Sequence, residues 1–342
     1  MLPTPSRFHS LDLLRAVAVI GVCLLHLVCG DRGLFSRGSL MFQLGEWGRH
    51  GVDVFFVISG FVIPLALQRA GFEARDLPRF LLKRAVRLYP PYLLVAVGIL
   101  LGGFIIAKIP NGLPHAFTPT WSQCLAHLVF LNDVLDLPWL NPVFWTLSIE
   151  FQYYLAIALA FPWLWSMKPS TLTVALVLTA LLSLGFPSQI VLLHWLPQFV
   201  LGVLAFAWSQ RRLSRVQLAL AVAVASGVAW AVSGGVAAVA SLATVLVMIS
   251  GFEPGPVWRP CLWIGEHSYS IYLLHIPVGV RVLDLCRARP SWLPSPYLVL
   301  AAAMALVLIA SWSLFRCVEL PSQRWSSAIR YRRPPADGTA AG

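Results

Sequence analysis

Arg15 and His26 stand eleven residues apart inside Leu11–Leu27, a run apolar enough to cross most of a bilayer. An ionisable side chain in such a run is costly in lipid and turns toward a protein interior or a water-filled cavity. Eleven residues make about three helical turns, so the two project from nearly the same face, roughly 16 Å apart along the axis. That face presents a cation able to hold an anion through charged hydrogen bonds and an imidazole able to take a proton. A snorkelling arginine and a core histidine with a structural hydrogen bond are the alternative reading of this stretch alone.

Asp53, Glu150 and His275 are ionisables in other apolar segments. Helical rise and span direction put His26, Asp53, Glu150 and His275 in the outer half of the membrane, with Glu150 roughly 10 Å below the surface. Asp12, Arg15, Lys83, Arg84 and Arg87 gather toward the inner face. About 21 Å of straight helix separates Asp12 from His26, so Asp12 is expected to form a structural ion pair with Arg15 three residues on. A carboxylate partner for His26 is then Asp53 or Glu150. Taken singly, Lys83, Arg84 and Arg87 also read as topology anchors, Asp53 as a helix cap and His275 as a core histidine. Glu150, inside a span, needs a partner or a proton. Trp145 and Tyr154 read as packing residues, and His9, His50, His115, His127 and His194 as near-surface residues without a role.

The elements that carry these residues follow from composition. Of 342 residues, 58% are hydrophobic and 11% charged, and the mean hydropathy is +0.76; soluble domains carry about a quarter charged residues. The net charge of +11 comes from short basic runs between apolar segments, the pattern of topology determinants and not of a nucleic-acid-binding face. The six cysteines show no CxxC pair and no metal-ligand spacing, so no disulfide framework or metal site is expected. A cleaved signal peptide is disfavoured by Arg15 inside the first run and by the lack of a small-x-small site before Asp31.

Ten spans are expected: Leu11–Cys29, Gly51–Leu67, a third that starts after Pro90-Pro91 and ends near Lys108, Val143–Trp165, Thr171–Phe186, Val191–Trp208, Val216–Val232, Val236–Ile249, Leu262–Leu283 and Tyr297–Cys317. Asp31–Arg49 and Arg69–Tyr89 read as connecting segments, polar and cationic respectively. With the N-terminus inside, 17 of the 25 Lys and Arg residues fall on the cytoplasmic side, as the positive-inside rule requires. The fold class is thus an all-α polytopic membrane helix bundle of about ten transmembrane helices, both termini cytoplasmic. It forms one membrane domain over 1–333, followed by a disordered tail, 334–342.

Five motifs now stand in order: Leu11-Asp12-x-x-Arg15 with His26; Gly51-Val52-Asp53-x-Phe55-Phe56-Val57-x-Ser59-Gly60-Phe61; Arg84-x-x-Arg87-x-x-Pro90; Trp145-x-x-Ser148-x-Glu150-x-Gln152-x-Tyr154; and Ser268-Tyr269-Ser270-Ile271-Tyr272-Leu273-Leu274-His275. Together they resemble the acyltransferase-3 family of integral membrane proteins, which includes bacterial O-antigen and exopolysaccharide O-acetyltransferases. Leu13 stands where a glycine is common and Phe151 where a second acid is frequent; neither touches the expected chemistry.

The resemblance implies a multi-pass enzyme of the bacterial inner membrane that moves an acyl group, usually acetyl, from cytoplasmic acyl-CoA to a carbohydrate hydroxyl. No permanently bound cofactor is expected; acetyl-CoA is the donor substrate. Arg15, Lys83, Arg84 and Arg87 would bind its phosphates, and its pantetheine arm would reach His26 as general base, with Asp53 or Glu150 fixing the tautomer. Ser148, Tyr269 and His275 would line the acceptor or oxyanion side. Family members often carry a soluble extracytoplasmic domain that is not read here, so a separate extracytoplasmic transferase or polysaccharide-assembly protein is an expected partner, beside the lipid bilayer. The competing class is a proton-coupled transporter with His26, Asp53, Glu150 and His275 as relay; the two-fold repeat common in such proteins is not seen. A scaffold subunit would not need the ionisable cluster.

Overall fold

A computed structural model describes residues 8–30, 35–107, 119–287 and 295–331. The expectations that fall on Asp31, Lys108, His115 and residues 332–342 lie outside the described residues. The described chain is helical: α1 (His9–Val28), α2 (Leu40–Gly48), α3 (Gly51–Arg69), α4 (Leu77–Ala107), α5 (Trp121–Val129), α6 (Trp145–Ser166), α7 (Pro169–Leu181) and α8 (Leu192–Ser209). It continues as α9 (Arg215–Ser233), α10 (Gly235–Ile249), α11 (Arg259–Glu266), α12 (Ser268–Leu274), α13 (Arg281–Arg287), α14 (Pro296–Leu314) and α15 (Leu320–Ala328). Wide π turns, His275–Val280 and Phe315–Glu319, join α12 to α13 and α14 to α15. Eight helices among the described residues are long and apolar enough to cross a membrane, and Pro169–Gly185 and Gly235–Ile249 are shorter apolar helices. These match the ten expected spans.

Three expectations change. The polar segment before Gly51 contains α2, started by Ser39, whose side chain accepts from the Phe42 backbone N–H. α2 lies against the second half of α1: Cys29 Sγ donates to Phe42 O at 3.2 Å, while Gly51 packs on the Ala18 backbone. The antiparallel run beside α1 therefore begins before α3, and Asp53 sits well below the level of His26. The cationic segment before Pro90 is helical as well. Pro90 and Pro91 lie inside α4, a position that a membrane helix tolerates; two residues before them Tyr269 Oη donates to Leu88 O at 2.9 Å and ties α12 to α4. The ninth span is broken into α11, α12, a π turn and α13. Pro277 cannot donate to the carbonyl four residues back, and that carbonyl, Leu273 O, accepts from Asn141 Nδ2 at 3.1 Å.

Two large apolar cores form among the described residues, beside a small cluster of Ala18, Val54 and Ile58 between α1 and α3. One joins α3, α6, α7, α8 and α9; the other joins the second half of α1 to α12 and α14. α3 and α8 cross at Gly60 and Gly202, where an added Cβ would stand 2.2 Å from Phe199 O and 2.1 Å from Val57 O respectively. Only glycine allows that approach. α11 comes as close to α1: a Cβ on Gly265 would meet Asp12 O at 1.8 Å. These contacts fix the walls between which the ionisable residues face one another.

Candidate active site

Where the two cores meet there is a cavity of about 420 Å³. Arg15 and Asp12 reach it from α1, Ser59 from α3, Arg84 and Arg87 from α4, and Glu150 and Tyr154 from α6. Glu266, Tyr269, Tyr272, Glu319 and Gln323 close it from the C-terminal third. Arg15 Nη1 lies 3.1 Å from Asp12 Oδ1 across one helical turn. Arg84 is buried, packed 5.3 Å over the Phe80 ring and 5.5 Å over the Tyr154 ring. Among the described residues no carboxylate forms an ion pair with Arg84, and its Nε has no hydrogen-bond partner. A buried guanidinium in that state favours an anion beside it. Lys83 does not line the cavity; its Nζ stands 5.5 Å over the Tyr331 ring.

The carboxylates are held apart. Glu150 Oε1 accepts from Tyr154 Oη and, at 3.4 Å, from Ser59 Oγ. Asp53 is turned away from the cavity toward α8: Gln198 Nε2 donates to Oδ1 at 2.9 Å, and His50 Nδ1 lies 3.0 Å from Oδ2. Neither carboxylate makes a hydrogen bond to His26. The side chain that does approach it is His275, with Nε2 3.2 Å from His26 Nδ1 and ring centroids 5.0 Å apart. His275 is fully buried and sits beside Tyr272, 5.7 Å between centroids. Tyr272 in turn lines the cavity and is tied to α6 through Thr146 Oγ1 at 2.8 Å. The histidine pair thus stands one aromatic layer beyond the cavity, at the end away from Arg15. Ser148 is buried and donates to Phe130 O at 3.0 Å; Tyr269 lines the cavity.

Sequence reasoning leaves out several wall residues. Glu319 is buried at the second π turn, accepting from Ser270 Oγ at 2.6 Å and from Gln323 Nε2 at 3.0 Å. Its signal was an acid just past an apolar run and before a helix-starting proline, masked by the basic residues that follow. Tyr154, expected to pack, holds Glu150. His127 is buried rather than near the surface; its Nε2 accepts from Leu140 N at 2.9 Å and its Nδ1 donates to Gln123 O at 2.7 Å. Burial lowers its pKa below the ordinary histidine value, partly offset by that second bond. Among the described residues no three His, Cys, Asp or Glu side chains are grouped to hold a metal ion.

Comparison with known proteins settles the family. The acyltransferase-3 pattern, described as an acyltransferase domain, matches residues 8–316, which is most of the chain and every cavity wall up to the second π turn. The chain belongs to the acyltransferase-3 family. It is 27% identical to the O-acetyltransferase OatA of Staphylococcus aureus, over 82% of this chain and 52% of that protein. To the peptidoglycan O-acetyltransferase OatA of Listeria monocytogenes it is 27% identical, over 92% of this chain and 56% of the relative. The chain thus spans about half the length of these OatA relatives. Acyltransferase MdmB of Streptomyces mycarofaciens is 25% identical over 98% of this chain and 96% of its own. No solved structure matches the chain.

Proposed function

We propose that this acyltransferase-3 chain is a multi-pass membrane O-acyltransferase, moving an acetyl group from cytoplasmic acetyl-CoA to a carbohydrate hydroxyl of a surface or lipid-linked glycan. The observation that carries this reading is the cavity: Arg84 and Arg87, which have no carboxylate partner among the described residues, at one end, and the His26–His275 pair one aromatic layer beyond the other. Acyl-CoA has the matching polarity, with several phosphates at one end, a long uncharged arm and a thioester at the other.

In this reading Arg15, Arg84 and Arg87 take the phosphates through charged hydrogen bonds, and Lys83 adds charge at the mouth. The arm runs past Glu150 toward Tyr272. His26 accepts the proton of the sugar hydroxyl as it attacks the thioester carbonyl and returns it to the leaving thiolate. Glu150, fixed by Tyr154 and Ser59, faces the cavity, where it can accept a hydrogen bond from the sugar; Tyr269 forms the wall on the acceptor side. Asp53 and Ser148 serve through their own bonds, by fixing α3 to α8 and α6 to the Phe130 turn. The enzyme lies in the bacterial inner membrane with Arg15 toward the cytoplasm.

The test pairs chemistry with folding. Mass spectrometry of surface glycans is compared between a deletion strain and the same strain carrying wild type or His26→Gln. A positioned base contributes about 10²–10⁴-fold, so His26→Gln should restore folded protein and acetyl-CoA binding but no acetylation. Glutamine has the size and some of the hydrogen bonding of histidine but cannot cycle a proton. An active His26→Gln enzyme would end this mechanism.

A further inference from the structure

We infer that His275 is the positioning partner of His26: a buried neutral imidazole that accepts the His26 Nδ1–H, fixes Nε2 as the base and steadies the imidazolium formed during transfer. The inference rests on the proposed role of His26. Its first support is a chain of hydrogen bonds whose protons can be assigned by elimination. His275 Nδ1 is 2.7 Å from Tyr272 O, and a carbonyl only accepts, so Nδ1 carries the proton. In a neutral ring Nε2 is then a bare acceptor. His26 Nδ1 faces that acceptor at 3.2 Å and Val22 O at 3.0 Å. With two acceptors before it, His26 Nδ1 must carry a proton and share it. The remaining nitrogen, Nε2, keeps its lone pair and has no hydrogen-bond partner among the described residues.

The second support is rigidity. His275 opens a π turn, a rare element enriched at functional sites. That turn is pinned by Asn141 on Leu273 O at 3.1 Å, and the His275 ring is fully buried. Val22 O lies in His26's own helix and can set the tautomer, but it already serves the helix backbone. His275 belongs to another element and orients the ring from across the helix interface. Asp53 and Glu150 are engaged with His50, Gln198, Tyr154 and Ser59, so an imidazole fills the place that a carboxylate holds in a serine-hydrolase triad.

During transfer the sugar O–H bond breaks and the new O–C bond forms at the thioester carbonyl. The proton moves to His26 Nε2, and the ring becomes an imidazolium whose Nδ1–H bond to His275 Nε2 strengthens. As the C–S bond breaks, that same proton passes to the CoA sulfur. His275 gains and loses no proton over the cycle.

The test uses the full chain in lipid nanodiscs, with His275→Phe, which fills the space without an acceptor, and His275→Gln, whose Oε1 can accept. Acetyl transfer from acetyl-CoA is read as kcat and donor KM, with folded yield alongside. His275→Phe should lower kcat about ten- to a hundredfold, the range typical of outer partners that orient an imidazole, with donor KM unchanged. His275→Gln should recover much of that loss. In ¹⁵N-histidine-labelled wild type, NMR should show His26 protonated at Nδ1, bare at Nε2, and coupled through the hydrogen bond to His275 Nε2. Full activity of a folded His275→Phe protein, or His26 protonated at Nε2, would overturn the inference. If His275→Phe does not fold, the wild-type coupling and His275→Gln decide. Activity of His26→Gln would defeat the acyl-transfer role while leaving the coupling intact, so the two failures are distinct.

Discussion

At the scale of single residues, type and spacing reveal what is costly to bury. Arg15 and His26 stand out because lipid penalises them, and both bear on the site. What spacing cannot give is the partner. His275 meets His26 across the interface between α1 and the end of α12, where the π turn His275–Val280 begins, a juxtaposition that no spacing along the sequence encodes. Asp53 turns from His26 because α2 takes up the run beside α1 that a loop was expected to leave free. The arginines support a direct test. Arg84 is buried without a carboxylate partner among the described residues, whereas Arg87 is exposed at the cavity rim. A lost charged hydrogen bond costs roughly 1.5–3 kcal/mol, or about ten- to a hundredfold in affinity. Arg84→Ala and Arg87→Ala should each weaken acetyl-CoA binding by that factor in a calorimetric titration, while turnover at saturating donor changes less. Unchanged affinity with collapsed turnover would remove the phosphate role.

At the scale of elements, existence was legible and interruption was not. Apolar runs of the right length mark every long helix, since backbone groups in lipid must be satisfied within the helix. The same rule hides where a helix bends or widens, because a neighbour supplies the missing bond, as Asn141 does at Leu273 O. Helix contact is decided by glycines whose role is invisible without the partner. Gly265 has the Asp12 backbone where a Cβ would stand, at 1.8 Å, while Gly98 in α4 has nothing within 4 Å. Gly265→Ala must push α11 from α1 and with it the wall that carries Asp12 and Arg15. Overpacking of this kind costs about 1–3 kcal/mol. The purified Gly265→Ala protein should melt several degrees lower and bind donor more weakly, whereas Gly98→Ala should melt within a degree or two of wild type. Equal melting of the two would mean that α1 and α11 are not held in this contact.

At the scale of the whole molecule, the proposed chemistry requires the arginine end of the cavity to face the compartment that holds acyl-CoA. Helix directions tie that end to the start of α1, to α11 and to α15, since Asp12 packs on Gly265 and Ser326 Oγ donates to Lys83 O at 2.8 Å. The same side carries the basic turn Arg211-Arg212 after α8 and Arg324 and Arg330 near the end of the described chain. Basic residues are retained on the cytoplasmic side, so charge and catalytic need give the same orientation from independent premises. Reporter fusions after Ser209 and Arg330 should therefore read cytoplasmic. A fusion at Gly234, the exposed turn between α9 and α10, should read extracytoplasmic. The reverse pattern would put the phosphate-binding end where no acyl-CoA is supplied, and the route from Arg84 to His26 would fall even if His26 proved essential.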